Sequence, residues 1–344
     1  MARVFLTGGS GFVGAALLDA LRDRGDVVVA LARSDAAERS LRARGADVAR
    51  GDILDEDALV AGMSDCELVF HVAGINTLCP ADPTALFHAN VRGAETVVRA
   101  AARAGIARVV HTSSAATLGE PHGTIGREDS PHRGSYLSSY ERSKHEGELA
   151  ALAAARRTGV ELVSVNPSSV QGPGRSGGTG RILLAYLNGT LKAFLDTRLS
   201  LVDIADCTTG HLLAAERGAP GERYILNGVT LTSHEALALL TEIAGVDHRP
   251  RILPAPVASA AAAIAEAGFR VLGRTPPVCR EMVRTMLHGH LYDGSRATRE
   301  LGLAYTPVRE TLARTIDWAV AAGLITRPLP GRAARASPDQ TAGM

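Results

Sequence analysis

The sequence predicts an α/β fold built on a parallel sheet. Short β-branched runs alternate with amphipathic stretches of helical length through the first half of the chain. A glycine-rich turn joins the first of these runs to the first amphipathic stretch. The alternation stops after a second glycine-rich segment, residues 166–180. Strand and helix alternating in this way are typical of a doubly wound, Rossmann-type parallel sheet with helices on both faces.

Six buried strands are expected in the first half, because each run is short, apolar and flanked by glycine or polar residues. They are RVFLTG (3–8), DVVVALAR (26–33), ADVARGD (46–52), CELVFHVAG (66–74), ARVVHTSS (107–114) and GVELVSVNPSS (159–169). The intervening helices are expected near residues 12–24, 36–44, 55–62, 83–104 and 138–158.

The pattern divides the chain into three parts. Residues 1–170 form the parallel-sheet domain, and residues 171–326 form mainly a smaller C-terminal substrate-binding lobe that returns some strands to the sheet. We expect this lobe to lie over the carboxyl ends of the strands, where ligands bind in such sheets. Residues 327–344 are rich in Pro, Ala and polar residues, which predicts a disordered tail.

Composition narrows the class of protein. The 344 residues are 46% hydrophobic and 21% charged, with a net charge of +1. This balance gives no reason to expect a nucleic-acid or membrane-surface partner. The one candidate membrane span, residues 255–273, is Ala-rich and contains Glu266, so a packed helix is expected. With no leader pattern at Met1, the sequence predicts a cytoplasmic protein.

Cysteine and histidine positions suggest no metal site. The cysteines share no ligand spacing and no close pairing, which predicts free thiols in a reducing compartment; they are Cys66, Cys79, Cys207 and Cys279. His288 and His290 have no neighbouring Cys or carboxylate at ligand spacing, so we expect no metal there.

The stretch TGGSGFVG (7–14) has the properties of a dinucleotide-binding turn. It follows the first strand, opens the first helix and contains Gly-x-Gly-x-x-Gly. Glycines allow the tight turn and bring backbone amides to a pyrophosphate at the helix N-terminus. The residues expected to contact the cofactor are Gly8, Ser10, Gly11, Phe12, Val13 and Gly14.

The end of the second strand indicates which dinucleotide is bound. An acid there would accept the ribose hydroxyls of NAD, whereas an arginine would pair with the 2′-phosphate of NADP. The strand ends in Ala32-Arg33 without an acid, which favours NADP, and Arg39 is a candidate second contact. Asp35 is close enough in sequence to keep NAD possible.

Tyr140 and Lys144 form a candidate acid–base pair. A spacing of four places both side chains on one face of a helix. The lysine charge would favour the phenolate, and a tyrosine tuned in this way can exchange a proton with a carbonyl–alcohol pair. The alternative is an amphipathic helix with a packed Tyr140 and a solvated Lys144. The hydroxyls of HTSS, at the end of the preceding strand, favour the catalytic interpretation.

Seven motifs in order resemble the extended short-chain dehydrogenase/reductases, the NAD-dependent epimerase/dehydratase family. They are TGGSGFVG, GDILD (51–55), FHVAG (70–74), NVRG (90–93), TSSAATLG (112–119), YERSK (140–144) and NPSSVQGPG (166–174). Residues 187–228 are similar to hopanoid-associated sugar epimerases and dihydroflavonol 4-reductase-like enzymes. The resemblance also implies that helices 83–104 and 138–158 pair two subunits in a homodimer.

The resemblance assigns roles to individual residues. Tyr140 would be the catalytic acid/base, and Lys144 its partner and a ligand of the nicotinamide ribose. Ser114, in preference to Ser113, would bind the reacting oxygen. The remaining cofactor contacts implied are Asp52 and Ile53 at the adenine, Val72, Ala73 and Gly74 along the cofactor, and Pro167 and Val170 near the nicotinamide.

Three functions fit these residues. Arg33 favours an NADP(H)-dependent reductase that converts a ketone or aldehyde to an alcohol. A nucleotide-sugar epimerase with tightly bound NAD(P) is the second, and the substrate is then a sugar. A non-catalytic dinucleotide sensor would be expected to lose Tyr140 or Lys144, and this chain keeps both.

Overall fold

A computed structural model describes residues 1–246, 248–276 and 278–333. Its centre is a parallel sheet of seven strands in the order β11-β7-β5-β4-β1-β2-β3. The strands are β1 (Arg3–Thr7), β2 (Val27–Ala32), β3 (Asp47–Arg50), β4 (Leu68–His71), β5 (Arg108–Thr112), β7 (Glu161–Pro167) and β11 (Arg223–Leu226). The doubly wound sheet predicted from the sequence is therefore confirmed.

Helices cover both faces of this sheet. Those of the first half are α1 (Phe12–Asp23), α2 (Asp35–Ala43), α3 (Glu56–Gly62), α4 (Thr84–Phe87), α5 (Gly93–Arg103) and α6 (Ser139–Thr158). A π-type turn over His88–Arg92 joins α4 to α5, so residues 84–103 form one continuous helical segment. Ser138 caps α6 by accepting the amide of Glu141 at 3.1 Å, which fixes where that helix begins.

Strand periodicity divides the apolar residues between two cores. Val4 and Leu6 of β1 belong to the core under α1, whereas Phe5 faces the core under α3, α5 and α6. All three side chains are fully buried. Successive strand residues point to opposite faces, so a sheet covered on both sides needs continuous apolar runs of the kind seen here.

Smaller sheets and further helices complete the fold, most of them in the second half of the chain. The strands are β6 (Ile125–Gly126), β8 (Ser169–Gln171), β9 (Ala193–Leu195), β10 (Arg198–Asp203), β12 (Val229–Thr232), β13 (Arg251–Leu253) and β14 (Leu291–Tyr292). The helices are α7 (Thr179–Leu187), α8 (Ile204–Arg217), α9 (Ser233–Ala244), α10 (Ala255–Val271), α11 (Arg280–His288), α12 (Val308–Ala321) and α13 (Pro330–Ala333). β11 joins the edge of the main sheet, while the domain boundary at residue 170 stays a prediction.

The start of the predicted tail is folded. Leu329 is buried in an apolar cluster of α7, α9 and α12, and α13 follows it directly. Burial of this side chain continues the ordered structure past residue 327, where the disordered tail was expected to begin. Residues 334–344 of that predicted tail lie outside the described residues.

Within the described part of the chain, no helix is both long enough and apolar enough to cross a membrane. The candidate span is α10, and its Glu266 carboxylate pairs with Arg270 at 2.8 Å and Arg280 at 3.3 Å. The helix packs along one face only, through Ala258, Ala262 and Glu266, so it is less buried than the sequence predicts.

The prediction of four free thiols is wrong for two of them. Cys79 and Cys279 form a disulfide with a Cα–Cα distance of 5.7 Å, whereas Cys66 and Cys207 are free. The two half-cystines are 200 residues apart, so the spacing of cysteines in the sequence does not predict the bond. The disulfide ties the loop after β4 to the start of α11. Stable disulfides are uncommon in reducing compartments, and the cytoplasmic location stays a prediction.

We expect unreduced, denatured protein to expose the thiols of Cys66 and Cys207 only, and reduced protein to expose those of all four cysteines. Thiol titration with a chromogenic disulfide reagent measures this difference. Replacing Cys79 and Cys279 by Ser should lower the free energy of unfolding by about 5 kcal/mol, because the bond closes a very long loop in the unfolded chain. Cys66→Ser is the matched control, with little change expected. Four reactive thiols without reductant would contradict the bond.

Candidate active site

The glycine loop between β1 and α1 makes two close backbone approaches. Gly8 has φ +76°, and a Cβ on it would lie 2.5 Å from the amide nitrogen of Ala73. A Cβ on Gly14 would lie 2.1 Å from the carbonyl oxygen of Gly8. No larger residue fits either position. The loop therefore packs directly against the end of β4 and against its own helix, as the motif predicts.

The N-terminus of α1 is suited to bind an anion. Gly11 is its N-cap and offers no side-chain cap, and the first turn contains no acidic residue. The amide of Gly11 bonds to Gly8, while Ser10 is exposed at the turn. Phe12 and Val13 are half-buried where the helix begins. Uncapped amides and the helix dipole fit a pyrophosphate at this end, so these residues could hold a dinucleotide.

The adenine end of the expected cofactor site is formed by β2 and the loop after β3. The Arg33 side chain is 82% exposed, and its guanidinium lies 3.7 Å from the carboxylate of Asp52. Asp35, the residue that would favour NAD, is paired with Arg50 at 2.9 Å. Ile53 packs closely against Gly93, where a Cβ would lie 2.6 Å from the Ile53 Cδ1 atom. The structure thus leaves Arg33 accessible to a ligand.

Val72, Ala73 and Gly74 continue β4 beyond the glycine loop. The hydroxyl of Thr7 accepts the amide of Ala73 at 3.1 Å, which holds this extension beside β1. Gly74 is exposed, and a Cβ on it would lie 3.8 Å from the Nζ atom of Lys144. Three of the predicted cofactor residues and the predicted catalytic lysine therefore meet at one edge of the sheet.

Asn90 holds this edge together, although we assigned it no role from the sequence. Its side chain accepts the amide of Ile75 at 2.8 Å and donates to the carbonyl of Ile75 and to the hydroxyl of Ser143. Asn90 is buried in the π-type turn. The asparagine therefore links the loop after β4 to α6. The NVRG motif contains it and was the available signal.

Lys144 is buried and points at the sheet. Its Nζ donates to the carbonyl oxygen of Thr112 at 2.8 Å. Burial lowers the pKa of Lys144 to about 8, against the opposing effect of the Glu148 carboxylate. Burial and the charge of Lys144 also lower the pKa of His71 to about 3, so that imidazole is neutral. The lysine charge is thus held at the edge of the sheet without a protonated histidine beside it.

Tyr140 differs from the sequence-based expectation in one respect. Burial raises the pKa of its phenol, while the Ser114 hydroxyl and the charge of Arg175 act in the opposite direction. The ammonium of Lys144, which was expected to lower this pKa, is hydrogen-bonded to the Thr112 carbonyl. The phenol is therefore protonated at neutral pH.

Ser114 lies at the start of a single 3₁₀ turn, Ala115–Leu118. Its Oγ accepts the amide of Ala116 at 3.3 Å, which leaves its O–H free to donate. The hydroxyl of Ser113 is buried and has no partner among the described residues. The Ser114 hydroxyl acts on the pKa of the Tyr140 phenol, which is consistent with the preference for Ser114, and its catalytic role stays a prediction.

Asn166 supports the turn that carries Ser114. Its side-chain amide donates to the Ser114 carbonyl at 3.2 Å and to the Glu148 carboxylate at 2.7 Å. Asn166 is fully buried, so it lies beneath the site and does not line a substrate pocket. Pro167 and Val170, the residues expected near the nicotinamide, follow it and are buried as well. Val170 and Phe12 belong to the same apolar cluster.

Histidines form a second cluster that sequence spacing missed. His290 bonds through Nδ1 to the Glu120 carboxylate at 2.5 Å, and His288 bonds through Nε2 to the Glu120 carbonyl at 3.1 Å. Burial raises the pKa of Glu120, but these imidazoles outweigh it and lower the pKa to about 2. The three side chains could hold a metal ion. His290 also stacks on Tyr292. Tyr140 is among the groups that raise the pKa of Tyr292, so this cluster lies near the proposed catalytic tyrosine.

The sequence is similar to known proteins along most of its length. Residues 4–226 match the NAD dependent epimerase/dehydratase family. A protein of Synechocystis sp. named as a dihydroflavonol 4-reductase is 35% identical over 91% of this chain and 93% of that relative. A ketoreductase of Stigmatella aurantiaca, named for 4-hydroxy-2-methyl-3-oxo-4-farnesyl-3,4-dihydroquinoline-1-oxide, is 33% identical over 88% of this chain and 92% of its own.

Solved structures agree with this similarity. The crystal structure of gox2253 superposes with a TM-score of 0.82 at 31% identity, covering 95% of this chain and all of that one. The family match spans the glycine loop, Ser114 and the Tyr140–Lys144 pair. The chain therefore belongs to the NAD-dependent epimerase/dehydratase family of extended short-chain dehydrogenase/reductases, and it is an NAD(P)-dependent oxidoreductase.

Proposed function

We propose that this protein is an NADP(H)-dependent reductase that converts a ketone or aldehyde to an alcohol. The observation that carries the proposal is the pairing of the Tyr140 phenol, whose pKa burial raises, with the Ser114 hydroxyl. Carbonyl reduction needs a proton donor at the oxygen, and a phenol whose pKa is raised by burial is such a donor. Two relatives that are named as reductases support the same direction of reaction.

Each of the three side chains has one task in this reaction. Ser114 donates a hydrogen bond to the carbonyl oxygen and orients it. Tyr140 gives its proton to that oxygen as negative charge develops there. Lys144 binds the ribose next to the nicotinamide. Its ammonium turns from the Thr112 carbonyl towards the phenol and stabilises the phenolate that remains after proton transfer. A bound nicotinamide supplies the hydride to the carbonyl carbon.

NADP is the proposed form of the cofactor because of Arg33. Among the described residues its exposed guanidinium pairs with Asp52 alone, at 3.7 Å, and is therefore available to a phosphate. A planar guanidinium pairs with a phosphate by two parallel hydrogen bonds. The acid that would instead favour NAD, Asp35, already pairs with Arg50.

Sugar epimerisation is the alternative function for these residues. An epimerase returns its hydride to the same substrate, so cofactor is not consumed. Many sugar-nucleotide enzymes of the resembled family have Arg-Pro where this chain has Asn166-Pro167. The side-chain NH2 group of Asn166 already donates to Ser114 and Glu148, and the residue is fully buried, so it has no donor for a nucleotide diphosphate. This favours the reductase.

Tyr140→Phe should lower kcat about 10²- to 10⁴-fold, because the proton donor is lost while the ring remains. The Kd for NADPH, measured by quenching of nucleotide fluorescence, should stay unchanged. Tyr186→Phe is the matched control: that phenol bonds to Thr241 at 2.5 Å within another core and should leave kcat as it is. Full activity of Tyr140→Phe would overturn the catalytic assignment.

Arg33→Ala should weaken NADPH binding by roughly 10- to 100-fold, the effect of losing a charged hydrogen bond. The Kd for NADH should change little, so the ratio of the two constants is the informative quantity. Arg44→Ala is the control, because Arg44 pairs with Asp19 away from the strand end. Equal loss for both nucleotides would mean that Arg33 does not bind the 2′-phosphate.

A further inference from the structure

Arg175 is a partly buried cation that lacks an anionic partner. It lies in the glycine-rich segment after β8, and its Nε is inaccessible to solvent and makes no hydrogen bond among the described residues. None of the carboxylates in the described residues forms an ion pair with this guanidinium. Its guanidinium lies over the ring of Phe12 at 5.3 Å. Phe12 begins α1, so the cation lies beside the expected cofactor site.

The backbone around Arg175 makes room for this placement. Gly174 has φ +94° and a Cβ on it would contact the Phe12 ring at 3.3 Å. Gly178 has φ +56° and a Cβ there would lie 2.8 Å from the Arg175 Nη2 atom. A side chain at Gly178 would therefore displace the guanidinium. The segment holds the arginine against Phe12 through two glycines in conformations that other residues rarely adopt.

The arginine also lies within electrostatic range of the catalytic tyrosine. Its charge favours the ionised form of Tyr140, and burial lowers the pKa of Arg175 itself. Removing a cation from water without a counter-charge costs free energy. An anion bound next to Tyr140 would recover that free energy. The protein supplies no such anion among its described side chains, which leaves a ligand as the source.

We propose that Arg175 pairs with a carboxylate or phosphate of the substrate, so that the substrates are carbonyl compounds that carry an anionic group near the reacting carbon. The same chemistry exists in the cofactor pyrophosphate. The pyrophosphate, however, already has the uncapped amides of α1 at Gly11. Arg175 instead comes from the segment that follows Val170, and its charge acts on Tyr140, whose proton goes to the substrate. This inference rests on the proposed reductase function.

The test compares oxo acids with their methyl esters, a pair that differs in charge but keeps the carbonyl. For 2-oxo and 3-oxo acids, wild-type kcat/KM should exceed that of the esters by about 10-fold or more, as expected for a charged hydrogen bond. Arg175→Gln should remove the preference, and Arg175→Lys should restore part of it. Arg181→Gln is the matched control, because Arg181 is exposed on the neighbouring helix α7.

Binding without turnover separates this inference from the proposed function. Calorimetric titration of the oxo acids into Tyr140→Phe with NADP⁺ should detect binding that the additional change Arg175→Gln abolishes. Such binding without turnover in wild-type protein would refute the reductase but keep the anion site. Reduction of acids and esters at equal rates would keep the reductase but refute the anion site.

Two further readouts complete the test. The Kd for NADPH should be the same in Arg175→Gln and wild type, and a 10-fold rise would assign Arg175 to the cofactor and overturn the proposal. Circular dichroism and the Tm should show that Arg175→Gln is folded. If Arg175→Gln does not fold, the test uses Arg175→Lys and its ratio of kcat/KM for oxo acids to kcat/KM for their esters. A ratio equal to that of wild type, with an unchanged Kd for NADPH, would contradict the proposal.

Discussion

The close approach of α6 to the helical segment 84–103 is the constraint on which the site depends. A Cβ on Gly147 would lie 2.0 Å from the carbonyl oxygen of Asn90, so only glycine permits this distance. One turn earlier on α6, Ser143 receives the side chain of Asn90 at 2.9 Å. These contacts fix the rotation of the helix about its axis. That rotation directs Lys144 at the sheet edge and Tyr140 towards Ser114.

Burial sets the charges of the ionisable side chains in this site. Lys144 is buried against a backbone carbonyl, and its pKa of about 8 keeps it charged at neutral pH but sensitive to a change in its surroundings. His71 and His111 lie beneath it with their pKa values lowered by burial, so no other imidazolium competes for an anion. A polar ligand that enters the site meets two cations, Lys144 and Arg175. Their positive charge and the proton of Tyr140 together suit a reaction in which negative charge develops on oxygen.

Local patterns predicted most of the fold and the helical face shared by the proposed catalytic pair. The β-branched runs fixed the strands, and the spacing of Tyr140 and Lys144 fixed their helical face, because both depend on neighbours within a few residues. The Cys79–Cys279 bond and the contacts of Glu120 with His288 and His290 join residues more than 160 positions apart. No local spacing records such contacts. The direction of the Lys144 side chain was equally hidden, since it depends on a carbonyl of β5.

The most direct test of the account follows deuterium from NADPH labelled at the reactive carbon of the nicotinamide. Purified protein is given the labelled cofactor with ketones, aldehydes, oxo acids and nucleotide sugars, while nicotinamide absorbance is recorded. We expect net loss of NADPH and one deuterium on the carbinol carbon of the product, detected by mass spectrometry. Conversion of a sugar to its epimer with the label and the absorbance of the cofactor unchanged would contradict it.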